Sequence, residues 1–411
     1  MTVSLGQPAW MTTSATTAVL DALEAAGGED CARFVGGVVR NALIGQPVAD
    51  IDVATTLTPD AVTKALKAAG VRAVPTGVEH GTVTAVYKGE PIEVTTLRRD
   101  VETDGRRAVV AFTTDWSEDA QRRDFTLNAL YARRDGAVFD PTGRGVADAL
   151  AGRIVFVGDP QLRLREDHLR SLRFFRFLAW YGRGEPDAAA LAAITALKDQ
   201  VASLAAERIS AELLKLMAAE DPRAAVRLMS ETGVLPVLLP GRSDLARFMA
   251  LVGIEAALPE TVALLRLAAL LPDAPDAGLQ TAERLRLSNA DRDRLAAALA
   301  PAPELRPGLA AQAARALIYR VGVQAFRDRA KLNWAAAGGG GDVAGWRALL
   351  AVGETWTSPA LPVTGADVMA AGAPKGPRVG EALRALEAWW IAGDFTADRA
   401  AALAKLQELV A

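Results

Sequence analysis

The chain is nearly devoid of soft metal ligands: of its 411 residues one is cysteine, Cys31, and two are histidine, His80 and His168. A lone thiol excludes an intrachain disulfide and a thiolate metal cluster, and two imidazoles exclude a multi-histidine zinc site. Any metal must then be held by carboxylates. Cys31 reads as a small core residue, consistent with a reducing compartment. Long apolar runs are missing too. The run over 262–271 is broken by Arg266, too soon for a bilayer span, and the N-terminus lacks a basic segment followed by an apolar core. These features predict a cytoplasmic protein. Charge of one sign is also lacking: a formal net charge of −3 and a pI near 5.7 give no global attraction to nucleic acid, so any RNA contact must rest on local basic surfaces.

What is present is apolar material, 51% of the residues, in a chain long enough for two or more domains. The first 150 residues alternate strand-like segments (34–35, 51–54, 71–74, 83–87, 92–97) with helix-like ones, including 59–69, where Thr58 offers an N-cap and Pro59 a first helical position. Between Arg98 and Arg122 the pattern lapses into a charged stretch that reads as a mobile loop. Beyond Gly158-Asp159-Pro160 strand signals stop, and Ala, Leu, Arg and Glu recur at helical spacing. Turn signals divide this half, and Gly338-Gly339-Gly340-Gly341 reads as a flexible joint. The expected fold is an α/β head with a small mixed sheet (1–150), followed by an all-α neck (151–225), body (226–337) and tail (338–411).

The most informative stretch is Gly36-Gly37-Val38-Val39-Arg40-Asn41-Ala42-Leu43-Ile44-Gly45, followed by Asp50-Ile51-Asp52. A strand ending at Val35 runs through two glycines into a helix over 38–44. Backbone amides at such a turn can point at an anion, and the free N–H groups of the helix start add partial positive charge. Arg40 supplies a forked cation one turn inside. Asp50 and Asp52 alternate along a strand and so share a face. Paired carboxylates suit Mg²⁺, which takes a few such oxygens together with phosphate oxygens and water. A phosphate cradle beside a metal-binding carboxylate pair describes nucleotidyl transfer.

These residues resemble the class II tRNA nucleotidyltransferases, the bacterial CCA-adding enzymes, and the closely similar bacterial poly(A) polymerases. The resemblance continues through Gly77-Val78-Glu79-His80-Gly81-Thr82-Val83, Arg122-Arg123-Asp124-Phe125-Thr126-Leu127-Asn128-Ala129-Leu130, Asp140-Pro141-Thr142-Gly143, the segment 165–177 and Glu207-Arg208-Ile209-Ser210-Ala211-Glu212. It implies a polymerase β-like head, Mg²⁺ at Asp50 and Asp52, and CCA addition to the 3′ end of tRNA from CTP and ATP. It also implies a nucleotide contact from Arg123 and a base-reading role for Asp167 and Arg170, with Arg173 and Arg176 adding nucleotide or phosphate contacts. One departure is Asn41, where the family usually has aspartate.

A template-free reader is chemically sensible. Ionised Asp only accepts hydrogen bonds and Arg only donates. Cytosine and adenine both present an amino donor beside a ring-nitrogen acceptor, whereas uracil and guanine reverse that order and are rejected by a site of buried partners. Asp167, Arg170 and Arg173 recur at i, i+3, i+6, as on one helix. In isolation that pattern reads as a salt-bridged surface, and its place after the head favours a reader.

Other positions stay open. Arg123 and Asp124 read as opening a helix, with Asp124 either its cap or a site group. Glu93 is either a third carboxylate or an exposed strand residue. Glu207, Arg208 and Glu212 read as a helix start buttressing the nucleotide pocket. Arg284, Arg286, Arg292 and Arg294 are either a phosphate-binding stretch or a solvated face. Trp389-Trp390 reads as core. Three functions remain: CCA addition, which the segment 79–83 and the intact loop 98–122 favour; poly(A), CC-only or A-only addition; and a non-catalytic RNA-binding module.

Overall fold

The computed structural model describes residues 3–77, 81–104, 107–241 and 243–410, the side chains of 100–110 excepted. Its contacts divide the chain into two compact units, Met1–Pro240 and Gly241–Ala411.

The first unit begins with α1 (Ser14–Gly27), β1 (Ala32–Val35), α2 (Gly37–Leu43), β2 (Asp52–Thr55) and α3 (Pro59–Ala68). Then follow β3 (Arg72–Gly77), β4 (Thr82–Tyr87), β5 (Glu90–Thr96), β6 (Arg98–Asp104) and β7 (Arg107–Phe112). After α4 (Trp116–Gln121), β8 (Tyr131–Ala132) and β9 (Val138–Phe139), the unit continues as α5 (Gly145–Ala151), α6 (Pro160–Glu166), α7 (Leu169–Tyr181), α8 (Ala188–Leu197), α9 (Ala206–Met217), α10 (Arg223–Glu231) and α11 (Val234–Leu238). A seven-stranded sheet runs β3-β4-β5-β2-β1-β8-β9, with β2 parallel to β5 and the remaining pairs antiparallel.

The sheet's two faces follow from alternation. Along β5, Ile92, Val94 and Thr96 are buried while Glu93 is exposed, so the apolar set packs beneath α1 and α3 and the carboxylate points to the other side. Helix α3 starts as its sequence dictates. Thr58 accepts from the Ala61 N–H at 3.4 Å, Pro59 takes the first turn, and Val62, Ala65 and Leu66 form the buried stripe.

Two local expectations are corrected. The charged stretch after Arg98 is a β-hairpin of β6 and β7 followed by α4: the run Ala108-Val109-Val110-Ala111-Phe112 favours strand, and the charges before it hide that preference. Arg123 and Asp124 open no helix. They follow α4 and precede a 3-10 turn, Thr126–Asn128.

The second unit is helical among its described residues: α12 (Leu245–Glu255), α13 (Ala263–Ala269), α14 (Pro275–Arg284), α15 (Asn289–Ala298), α16 (Ala311–Val321), α17 (Val323–Ala336), α18 (Val343–Thr355), α19 (Gly365–Ala370), α20 (Pro377–Ala392) and α21 (Arg399–Val410). Arg266, the charge that interrupts the apolar run, is 1% exposed and donates to buried Glu255 at 2.5 Å. Trp390 is buried against Tyr319 and Phe395, whereas Trp389 is 36% exposed. Among the described residues no helix is long and apolar enough to cross a membrane.

Candidate active site

The site forms on the sheet face opposite α1 and α3. Strand β2 starts at Asp52, so Asp50 lies in a bend before it, and the same-face argument applies to a different pair than the sequence suggested. Asp52 is the direct partner of Glu93 in the parallel β2–β5 ladder, and Glu93 is the partner of Thr84 on β4. Directly paired residues project to one face, so Thr84, Glu93 and Asp52 form a row. Together with Asp50 and Glu90 they line a concavity of about 480 Å³. Burial and the facing Glu93 push the Asp52 carboxyl up to about 6; Asp50 adds to the rise and Arg123 opposes it. A carboxylate pushed up in this way by its acidic neighbours is stabilised by a cation. No group of three or more His, Cys, Asp or Glu side chains closes on one ion position among the described residues. An ion here would complete its shell with substrate oxygens and water, the habit of Mg²⁺.

Beside this row lies the glycine turn. Gly36 has φ 72° and ψ −118°, a conformation that favours glycine, and a Cβ there would meet Arg123 Nη1 at 3.4 Å and the Asn128 carbonyl at 3.6 Å. Gly37 begins α2, a helix of seven residues, so the partial charge of its start is modest. Arg40 is 6% exposed. Its guanidinium donates to Asn128 Oδ1 at 2.5 Å, to Asn41 Oδ1 at 2.8 and 3.1 Å and to the Tyr181 hydroxyl at 2.8 Å. Burial pulls its pKa down. Arg40 thus fastens the turn to α7. Asn41 plays both halves of an amide, accepting from Arg40 and donating to the Pro47 carbonyl at 3.0 Å, which a carboxylate could not do.

Arg123 bears on both the turn and Asp52. It is held by Asp119, which accepts from Arg123 Nη2 at 2.9 Å, from the Tyr131 hydroxyl at 2.7 Å and from the Arg98 backbone N–H at 3.1 Å. Burial opposes ionisation of Asp119, yet the Arg123 charge and these bonds hold its pKa below the usual carboxylate range. Asp124 accepts from Asn128 and from Arg173 at 2.6 and 2.8 Å. Its carboxylate is therefore spent on a tertiary contact, which explains why it caps no helix.

The segment 165–177 is two helices, so Asp167 and Arg170 do not share one. Helix α6 ends at Glu166, Asp167 is extended at φ −154°, and α7 begins at Leu169. Arg170 is bound by Glu166 at 2.5 Å and donates to the Arg122 and Arg163 carbonyls at 3.0 Å. Asp167 instead accepts from Arg208 of α9 at 2.7 Å. Arg173 and Arg176 converge on Glu212 of α9, at 3.5 and 2.5 Å. The Glu207 to Glu212 segment thus does buttress this region, through Arg208 and Glu212. Asp119, Tyr131 and Tyr181 were missed by sequence reasoning: Tyr181 meets Arg40 from 141 residues away, and Asp119 and Tyr131 meet Arg123 across the irregular stretch after α4, where no repeating pattern signals the contact. In the second unit, Arg294 is taken up by buried Asp328 at 2.8 Å and Arg292 pairs with the adjacent Asp293. Glu79 and His80, the first two residues of the segment 79–83 on which the distinction between CCA and poly(A) addition leans, lie outside the described residues.

Residues 32–155 match the family described as "Poly A polymerase head domain", and 185–245 match "Probable RNA and SrmB- binding site of polymerase A". The chain is 42% identical over 223 residues to the mitochondrial CCA tRNA nucleotidyltransferase 1 of Mus musculus, covering 53% of this chain and 50% of that protein. It is 39% identical over 238 residues to the CCA-adding enzyme of Levilactobacillus brevis, covering 56% and 58%. The matches thus span about half the length of these curated relatives. Among solved structures, the Bacillus stearothermophilus CCA-adding enzyme in complex with CTP superposes with a TM-score of 0.75 at 27% identity, covering 97% of this chain and 98% of that one.

Proposed function

We propose that the chain is a class II tRNA nucleotidyltransferase that adds CCA to the 3′ end of tRNA from CTP and ATP, a reading supported by the match of residues 32–155 to the poly(A) polymerase head family and by the likeness to CCA-adding enzymes. The observation that carries the proposal is the Asp52–Glu93 row beside Asp50 and the Gly36 turn. In each cycle the tRNA 3′-oxygen forms a bond to the α-phosphorus of the nucleotide, the bond from that phosphorus to the bridging oxygen breaks, and pyrophosphate leaves.

Asp50 and Asp52, with Glu93 as a third carboxylate, would hold Mg²⁺, which when bound lowers the pKa of the attacking hydroxyl and neutralises the leaving oxygens. The protein's own residues position the reactants. Gly36 and Gly37 bring backbone close to the triphosphate, Arg40 fixes that turn, and Arg123 reaches the nucleotide from beneath it. Asp167, just before α7, and Arg170, on it, read the base edge, and Arg173 and Arg176 lie further along α7. Residues 1–150 do the chemistry, 151–225 select the nucleotide, and 226–337 with 338–411 hold the tRNA; we place this activity in the cytoplasm.

The test is to incubate the protein with tRNA lacking its 3′ terminus and each nucleoside triphosphate, separately and together, and to size the products. A three-nucleotide extension that needs both CTP and ATP is expected. A long ladder with ATP alone would replace this reading with poly(A) addition, and RNA binding without extension would replace it with a binding module.

A further inference from the structure

Resting on the proposed function, we infer that Arg208 is a positioning residue for nucleotide choice, acting through Asp167. Asp167 sits in extended backbone between α6 and α7, where no helical turn fixes its side chain. Two contacts fix it instead. Oδ1 accepts from the Leu169 backbone N–H at 3.1 Å, tying it to the start of α7, and Oδ2 accepts from Arg208 Nη2 at 2.7 Å, tying it to α9. The residue expected to pair with it, Arg170, is already engaged by Glu166 and by the carbonyls of Arg122 and Arg163. Arg208 is thus the guanidinium that sets the carboxylate's plane.

That constraint has a chemical consequence. A carboxylate offers about four lone-pair sites, so after these two bonds it can still accept from the amino group of cytosine or adenine. Oriented by a guanidinium, the carboxylate presents only acceptor oxygens. Uracil and guanine would present a carbonyl oxygen to it and leave two acceptors facing each other. Without Arg208 the carboxylate is free to turn away from the mismatched oxygen, and the penalty against uracil relaxes. Arg208 and Asp167 keep 49% and 32% of their side-chain surface exposed, so the pair lies at an accessible edge where a base can reach it. Its partial exposure also means that replacing Arg208 leaves the core of α9, built on Ile209, Leu213 and Leu216, intact.

The experiment measures kcat and KM for single-nucleotide incorporation of CTP and of UTP on tRNA lacking its 3′ terminus, in wild type, Arg208→Gln and Arg208→Lys, with thermal unfolding of each as a control. A charge-assisted bond of this kind supports discrimination of about tenfold or more. The CTP-to-UTP ratio of kcat/KM is expected to fall by about that factor in Arg208→Gln and to be partly restored in Arg208→Lys. An unchanged ratio, or an equal loss for both nucleotides, would overturn the inference while leaving the proposed function standing. Failure of the wild type to incorporate CTP would remove both.

Discussion

Asp52 and Glu93 face each other across the parallel β2–β5 ladder, and the Asp52 carboxyl is pushed up by its burial and by that neighbour. Two carboxylates in register on one face repel unless a cation lies between them. If they hold the ion, Asp52→Asn should lower kcat for nucleotide addition by at least about a thousandfold and Glu93→Gln by about ten- to a hundredfold, in keeping with the loss of groups that stabilise transition-state charge. RNA binding, followed by gel shift, should stay within a factor of about two, because neither carboxylate attracts a phosphate backbone. A Glu93→Gln enzyme with wild-type kcat would reduce Glu93 to a solvated strand residue.

The buried guanidinium of Arg40 lies 4.0 Å from the Tyr181 ring centroid and donates to the hydroxyl of the same residue. Tyr181→Phe keeps the ring and strips the acceptor, leaving a charged donor buried without its partner. The expected loss is about 2 kcal/mol, a drop in Tm on the order of 4–8 °C for a unit of this size. The KM for nucleotide should rise as well, since the same guanidinium secures the Gly36 turn. Calorimetry and steady-state kinetics on one preparation check both.

The glycine turn and the α3 start were legible because each is a local signal: a residue type with its own backbone preference, read within a few positions. The Asp52–Glu93 row was legible only as an open alternative for Glu93, since its register depends on a parallel pairing of two strands distant in sequence, and the sequence pointed to Asp50 as the same-face partner of Asp52. Arg40 was legible as a cation and illegible as a buried one, for Tyr181 lies 141 residues further on. The segment 165–177 shows the same limit. Helical spacing placed Asp167 and Arg170 together, but a break at Asp167 and the approach of α9 re-paired both. Charge hid the β6–β7 hairpin, because strand preference was weighed against the acidic stretch before it.

Asp124 gives a pH signature. Burial opposes its ionisation, but the Arg173 charge and the bonds from Asn128 and Arg173 hold its pKa below the usual carboxylate range, against about 3.9 when unfolded. A depressed folded value means that the folded state binds fewer protons, so the stabilisation is complete above about pH 4 and drains away as pH falls through the folded value. Asp124→Asn should therefore be clearly less stable than wild type at pH 7, with the gap narrowing towards pH 3. Urea midpoints at the two pH values measure this. Asp119, depressed likewise, weakens both proteins in acid and does not produce the narrowing.

The terminal helical segment offers a salt-dependence test of RNA binding. Lys375, Arg378 and Arg384 are exposed, flank or lie on α20, and form no ion pair among the described residues. Other arginines of the second unit are committed: Arg294 to Asp328, Arg315 to Asp394 and Arg399 to Asp367. An exposed cation without a carboxylate partner can exchange its counter-anion for a phosphate, releasing ions from the RNA, and each such contact steepens the dependence of log K on log salt by a little under one unit. If this segment holds tRNA, Lys375→Gln and Arg378→Gln should each weaken binding severalfold at low salt, the double change should lower the slope by about one to two units, and kcat at saturating tRNA should not move. Equal slopes in the double variant and the wild type would place the RNA elsewhere. Arg315→Gln is the matched control, because its guanidinium is already paired with Asp394 and its loss should leave the slope unchanged.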